Sequence, residues 1–208
     1  MHVGADTGGT FTDVVADDGT IAKVPSTPAD PARAVADGID EVAGAAPELL
    51  AHGTTVATNA LLEDRIERMG LITTEGYRYI LEIARQSVPD GYGNSYFWVK
   101  PDRIVPVDLV QEVGGRLDVH GEELRPFDDE RAREVARWFR SQGVETLGVC
   151  FLHSYQNPAH EERMRDILAE EFPEAVVSIS SQVLREYREY ERTVTTLVDA
   201  SVKPKVTR

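Results

Sequence analysis

Cysteine is nearly absent from this chain: the 208 residues hold one, Cys150. An intrachain disulfide is therefore excluded, and so is a metal cage built from cysteines. Positive charge is also scarce. Twenty-two Lys and Arg stand against 36 Asp and Glu, for a net charge of −14, and lysine is limited to Lys23, Lys100, Lys203 and Lys205. No basic patch stands out, which argues against nucleic acid as a partner. No apolar run approaches the length of a membrane span. The first glycine-rich motif starts so close to Met1 that no room remains for a signal peptide, and the expectation is a cytoplasmic protein. Several catalytic signatures are missing as well. No Lys follows a G-x-x-x-x-G, no H-E-x-x-H occurs, and no G-x-S-x-G elbow surrounds Ser154, Ser180 or Ser181.

What is present begins at Gly4-Ala5-Asp6-Thr7-Gly8-Gly9-Thr10-Phe11-Thr12-Asp13. Gly8-Gly9 lets backbone N–H groups approach an anion closely. Thr7, Thr10 and Thr12 add hydroxyl donors. Asp6 can hold a hard cation, directly or through water, and Mg²⁺ travels with nucleotide phosphates. The segment reads either as a phosphate-binding hairpin or as an ordinary tight turn. A second cluster, His52-Gly53-Thr54-Thr55-Val56-Ala57-Thr58-Asn59, sits at a predicted strand-to-helix junction. There, free N–H groups and Thr hydroxyls favour an anion. The alternative is that Thr54 or Thr55 simply caps the helix.

Periodicity predicts strands over 3–6, 11–16 and 21–25, an opening antiparallel meander. Helices are expected over 31–42, where Asp30-Pro31 forms a cap and first position, and over 56–62, 75–85, 128–141, 158–172 and 193–202. Further strands are expected over 49–52, 69–73, 146–152 and 175–180, with a hairpin formed by 110–117 and 123–125. Residues 86–106 show no period and read as a functional or mobile loop, with the glycine- and aromatic-rich 90–98 as a candidate substrate or partner surface. His52, His153 and His160 are read as structural, and Cys150 as a core thiol. Tyr187, Arg188, Tyr190 and Arg192 form either a salt-linked helix surface or a contact with a further lobe.

These motifs resemble the hydantoinase/oxoprolinase family in its N-terminal region. Gly4 to Val15 and His52 to Leu62 carry the resemblance. So do Ile72-Thr73-Thr74-Glu75-Gly76, the stretch from His153 to Glu161, and the stretch from Glu186 to Thr193. The resemblance implies an α/β fold of the ribonuclease H-like, actin-like ATPase kind. Residues 1–66 would be a phosphate-binding half-lobe, 67–180 an inserted α/β region, and 181–208 a helix returning to the first lobe. It implies Mg-ATP as cofactor. Asp6 would orient Mg²⁺, and Thr7, Gly8, Gly9 and Thr10 would contact phosphate. Thr12 and Asp13 would shape the hairpin, and Gly53, Thr54, Thr55 and Asn59 would supply further donors. Either Asp6 or Asp13 could act as a base. The implied reaction is ATP-dependent hydrolysis of a small cyclic amide through a phosphorylated carbonyl. Two further readings stay open: the ATP-using subunit of a related ketone carboxylase, and a non-catalytic nucleotide-binding module. A second lobe beyond residue 208 and a partner subunit are also expected, so the isolated segment is expected to be inactive.

Overall fold

The computed structural model describes residues 1–27, 30–55, 68–85 and 102–206. Asn59, the expected helix over 56–62 and the candidate surface over 90–98 lie outside the described residues. The chain divides into two compact units. One comprises residues 1–66 with 205–208, the other residues 67–204.

The first unit is a four-stranded sheet with one helix on it. Strands β1 (His2–Thr7), β2 (Phe11–Ala16) and β3 (Ile21–Pro25) pair antiparallel in sequence order. Strand β4 (Leu49–Thr54) pairs parallel to β1 on its other side, giving the order β3-β2-β1-β4. Alternation along β1 and β2 sends Val3, Ala5, Val14 and Ala16 to one face. Helix α1 (Pro31–Ala43) covers that face with Val35, and Ile39 and Val42 pack at the edge of the cluster. Pro31 occupies the first turn as expected. Asp30 stands at the cap position, but its side chain makes no capping bond.

The second unit is an all-parallel sheet. Its strands are β5 (Met69–Thr74), β6 (Val110–Val113), β9 (Thr146–Cys150) and β10 (Val176–Ile179), in the order β10-β9-β5-β6. Strands β5 and β9 are buried along their whole length, which is why they read as continuous apolar runs rather than alternating ones. Helix α3 (Asp129–Ser141) covers one face, with Phe139 against Gly70. Helix α6 (Glu189–Val206) covers the other, with Leu197 against Gly148. Asp128 caps α3 by accepting from the Arg131 N–H at 3.0 Å. Helix α4 (Ala159–Glu171) packs beside α3, and the single-turn α5 (Ser180–Val183) follows β10.

The structure departs from expectation in three places. Residues 110–117 do not form one hairpin arm. Strand β6 joins the parallel sheet, and only the short β7 (Arg116–Leu117) pairs with β8 (Glu123–Arg125). Over 75–85 only α2 (Ile80–Ile83) is helical. Gly76 takes a left-handed φ of 91°, and its N–H and that of Arg78 donate to Glu112 Oε1, at 2.8 and 3.0 Å, in place of helical bonds. Helix α6 runs from Glu189 to Val206, longer at both ends than the expected 193–202, and lies in the second unit through Pro204.

A buried carboxylate organises the carboxyl end of β9. Glu161, on the first turn of α4, is fully buried. It accepts from the N–H groups of Phe151 (2.9 Å) and Ser181 (2.8 Å) and from the hydroxyls of Ser154 (2.8 Å) and Ser180 (2.5 Å). Fully buried Arg192 donates to the carbonyl of the same Phe151 at 2.7 Å. Replacing Glu161 with Ala strands the buried N–H groups of Phe151 and Ser181, while the Ser154 hydroxyl keeps the Phe151 carbonyl as acceptor at 2.8 Å. The expected loss is about 3–5 kcal/mol in urea-induced unfolding, and a loss under about 1 kcal/mol would show that the network does not hold the turn.

Candidate functional site

The two glycine-hydroxyl motifs of the first unit come together at one end of adjacent strands. In the parallel β1–β4 pairing Asp6 stands opposite Gly53, and Thr7 opposite Thr54. One residue further on, the N–H of Thr55 donates to the Thr7 carbonyl at 3.0 Å, and its hydroxyl reaches the same oxygen at 3.3 Å. The motifs are therefore tied by backbone bonds, although 45 positions separate Thr7 from His52.

The turn between β1 and β2 is closed by a bond from the Gly8 N–H to the Phe11 carbonyl at 2.9 Å. A Cβ at Gly8 would lie 2.9 Å from that same carbonyl oxygen, so a side chain there requires the turn to shift. Gly9 and Thr10 form the exposed tip, and among the described residues nothing accepts from their N–H groups. Free N–H groups at a tight turn are suited to an anion.

Strand alternation splits the candidate side chains between two faces. Thr7 and Thr12 stand opposite each other and are both buried. The Thr7 hydroxyl bonds the His52 ring at 3.0 Å. Ser26 donates to the Gly8 carbonyl at 2.8 Å, so the Thr12 hydroxyl, 3.0 Å away, donates to Ser26. These hydroxyls hold the hairpin shut from its core side. Sequence reasoning missed Ser26, which sits just after β3 with no pattern to mark it. It read His52 as structural, and the ring bonds Thr7.

The opposite face carries charge. Gly53, Asp6, Asp13 and Lys23 lie side by side across β4, β1, β2 and β3. Lys23 Nζ bonds Asp13 Oδ1 at 2.8 Å and stands 5.4 Å from the centre of the Phe11 ring. Asp13 thus has its counter-charge beside it. Asp6 is exposed, and among the described residues no group pairs with its carboxylate. A Cβ on Gly53 would lie 3.4 Å from Asp6 Oδ1, so the glycine keeps that side of the carboxylate clear. Among the described residues no three carboxylates, histidines or cysteines cluster closely enough to cage a metal ion. One exposed carboxylate suits a cation that keeps most of its own water, the habit of Mg²⁺.

The remaining candidates are structural. His160 is buried, 2.8 Å from Glu123 and against the Phe127 ring. Cys150 is buried, and desolvation pushes its thiol above the ordinary value. Of the Tyr-Arg pattern near the end, Tyr187 and Arg188 are exposed while Arg192 is wholly buried. Among the described residues no helix is long and apolar enough to cross a membrane.

Comparison with known proteins agrees with this layout. The family model described as "Hydantoinase/oxoprolinase N-terminal region" matches residues 2–172. The caprolactamase subunit alpha of Pseudomonas jessenii is 34% identical over 98% of this chain, which spans 31% of that protein. The crystal structure of the ATP-dependent caprolactamase from the same organism superposes with a TM-score of 0.83 at 33% identity, over all of this chain and 32% of that one. The acetophenone carboxylase gamma subunit of Aromatoleum aromaticum is 38% identical over 94% of this chain and 30% of its own length. A nucleotide-free acetone carboxylase superposes with a TM-score of 0.88 at 25% identity, covering 33% of that chain. The chain thus spans about a third of the length of these relatives. With a family match across most of its length and relatives above 30% identity over nearly all of it, this chain belongs to the hydantoinase/oxoprolinase family and corresponds to its N-terminal region.

Proposed function

We propose that this chain is the phosphate-binding part of an ATP-dependent hydrolase acting on a small cyclic amide, within an actin-like, ribonuclease H-like ATPase fold. The observation that carries the reading is the meeting of the two motifs at the ends of β1 and β4: an unpaired Asp6 beside Gly53, and a glycine turn with free N–H groups next to both. The ATP-dependent caprolactamase supports the choice of reaction.

Bound Mg-ATP would supply a phosphoryl group for the amide oxygen, which would open the carbonyl carbon to water; the C–N bond of the ring then breaks, and phosphate and ADP are released. The chain's own part is positioning and charge. The N–H groups of Gly9 and Thr10, with the Thr10 hydroxyl, would hold the phosphates at the hairpin tip. Asp6 orients the water shell of the cation. Gly53, Thr54 and Thr55 would flank it from the end of β4, and the family resemblance adds Asn59 to the donors. Thr7 and Thr12 act from behind, holding the hairpin in shape through His52 and Ser26. Asp13 is tied to Lys23, which leaves Asp6 the better placed of the two for a water or substrate proton. In this reading residues 67–180 are an insertion into the first lobe's fold, and a further lobe and a partner subunit complete the nucleotide cleft. The protein would work in the cytoplasm.

A second reading is favoured by the 38% identity to a carboxylase subunit: the same phosphate site would serve carboxylation of a ketone. The two are separated by measuring ATP hydrolysis in the full-length protein with its partner subunit. Stimulation by lactams or hydantoins supports the hydrolase, and stimulation only by ketone with bicarbonate supports the carboxylase. A non-catalytic module would show neither.

In that assembly Asp6→Ala is expected to lower ATP-dependent turnover by about 100-fold or more, the usual scale for losing a preorganised electrostatic group. Unchanged turnover would remove the hairpin from the mechanism. Gly8→Ala is expected to weaken nucleotide binding and to cost about 1–3 kcal/mol of stability, because its methyl group meets the Phe11 carbonyl. Isothermal titration with ATP and a denaturant midpoint check both effects, and wild-type values for each would show that the turn tolerates a side chain.

A further inference from the structure

Ser26 stands just past β3 and belongs to neither glycine motif, yet three hydrogen bonds tie it to the hairpin between β1 and β2. Its N–H donates to the Thr10 carbonyl at 2.9 Å. Its hydroxyl donates to the Gly8 carbonyl at 2.8 Å and lies 3.0 Å from the Thr12 hydroxyl. A serine hydroxyl has one proton, and Gly8 takes it, so Thr12 is the donor in the last of these bonds. Thr12 is wholly buried, Ser26 half-buried and Gly9 exposed. The chain of hydroxyls thus starts in the core and ends on the backbone of the turn.

The bonds of Ser26 are not needed to close the hairpin. The Gly8 N–H already closes it on the Phe11 carbonyl, and the pairing of Thr7 with Thr12 continues the ladder below. What Ser26 adds is direction. Among the described residues no peptide bond is cis, and in a trans peptide group the carbonyl and the N–H of the next residue point opposite ways. The Gly8 carbonyl shares its plane with the Gly9 N–H. Held at its oxygen by Ser26, that plane aims the Gly9 N–H away from Ser26 and out of the exposed tip. Glycine on both sides would otherwise let the plane rotate, since no Cβ confines it.

The neighbouring planes are fixed by other means. One plane earlier, the Thr7 carbonyl accepts from Thr55 and the Gly8 N–H donates to Phe11. Two planes later, the Thr10 carbonyl accepts from the Ser26 N–H. Between them the Gly9–Thr10 plane has no bond at either end among the described residues and takes its direction from its neighbours. The Gly8–Gly9 plane is therefore the part of the turn whose direction depends on one side-chain hydroxyl.

The same bonds strengthen the donor that they aim. Hydrogen bonds in a chain polarise one another. Thr12 donates to Ser26, Ser26 to the Gly8 carbonyl, and the polarised peptide makes the Gly9 N–H a better donor. The three dipoles run head to tail toward the tip. Donors held in place in this way stabilise an anion without reorganising when it arrives.

We infer that Ser26 is a positioning residue of the phosphate site: its hydroxyl, backed by Thr12, fixes the Gly8–Gly9 peptide so that the Gly9 N–H meets a phosphate oxygen. The inference rests on the nucleotide reading and adds to it a residue outside both motifs.

The test is the affinity of the full-length protein, with its partner subunit, for the magnesium complex of a non-hydrolysable ATP analogue, measured by isothermal titration. Ser26→Ala is expected to weaken binding by about tenfold, the scale of one hydrogen bond to a charged group. Ser26→Thr keeps the hydroxyl and is expected to bind close to wild type, a recovery that a space-filling role would not give. Ser26→Cys keeps the size of the side chain but offers only a weak donor, and its affinity is expected to lie near that of Ser26→Ala. Should Ser26→Ala fail to fold, Ser26→Cys takes its place in the comparison. Wild-type affinity in Ser26→Ala, or in the cysteine variant standing in for it, would overturn this inference and leave the nucleotide reading in place. Binding by Ser26→Thr no tighter than by Ser26→Ala would overturn it too. No binding by the wild-type protein would overturn the nucleotide reading, and this inference with it.

Discussion

A strand can aim only every second side chain at one face, and this constraint divides the hairpin motif into two working halves. Asp6 and Asp13 fall on the open face, and Thr7 and Thr12 on the face under α1. Because the β1–β2 register sets each carboxylate opposite the other and each threonine opposite the other, the division is the same on both strands. The parallel pairing of β4 then adds Gly53 to the acidic row and Thr54 beside the hydroxyl row. A register slip of one residue would put both carboxylates into the core and both threonines into water. The bonds from buried Thr7 to His52 and from buried Thr12 to Ser26 oppose that slip, so the motif's least accessible residues fix the position of its exposed ones.

The second unit meets a different constraint. Two full charges, Glu161 and Arg192, lie out of contact with water. Each would be costly alone, and they do not touch as an ion pair. Both instead engage Phe151, the residue just past β9: Glu161 through its N–H, Arg192 through its carbonyl. The peptide groups around Phe151 lie between the charges and polarise toward each. The turn from Phe151 to Tyr155 is thereby held from two helices, and the Tyr155 ring packs 5.5 Å from the guanidinium carbon. A turn fixed this firmly can sustain the left-handed conformation of His153.

Local patterns were legible in the sequence, and long-range ones were not. The alternation in β1 to β3, the Pro31 start of α1 and the amphipathic period of α3 each need only neighbours along the chain, and each appears in the structure. Strand β6 was misread because its partner is β5, whose Leu71 pairs with Val110 across 39 positions. The span over 75–85 carries helical residues, but Glu112 takes the N–H groups of Gly76 and Arg78. Burial of Arg192 is decided by the Phe151 carbonyl, 41 positions away, which the pattern from Tyr187 to Arg192 does not show: it reads either as a salt-linked helix surface or as a contact with a further lobe. Of the candidate site, the two motifs were legible and their junction was not. The bond that joins Thr55 to Thr7 follows from parallel pairing, which leaves no mark on either motif alone.

The charge of the open face bears on the nucleotide reading in a way that the motif alone does not. Across the row, two carboxylates meet one ammonium group, and Lys23 is already bonded to Asp13. The excess is one negative charge, at Asp6, on a chain whose net charge is −14. A bare polyphosphate brought to the hairpin tip would gain the Gly9 and Thr10 N–H groups but meet that field. At about 4 Å two like charges repel by roughly 1 kcal/mol in water and several times more where the surface is partly shielded. A divalent cation reverses the sign at Asp6 and turns the carboxylate from an obstacle into an anchor. On the proposed reading the hairpin is therefore a site for the magnesium complex and not for free nucleotide, and its selectivity lies in Asp6, whose carboxylate has no partner among the described residues.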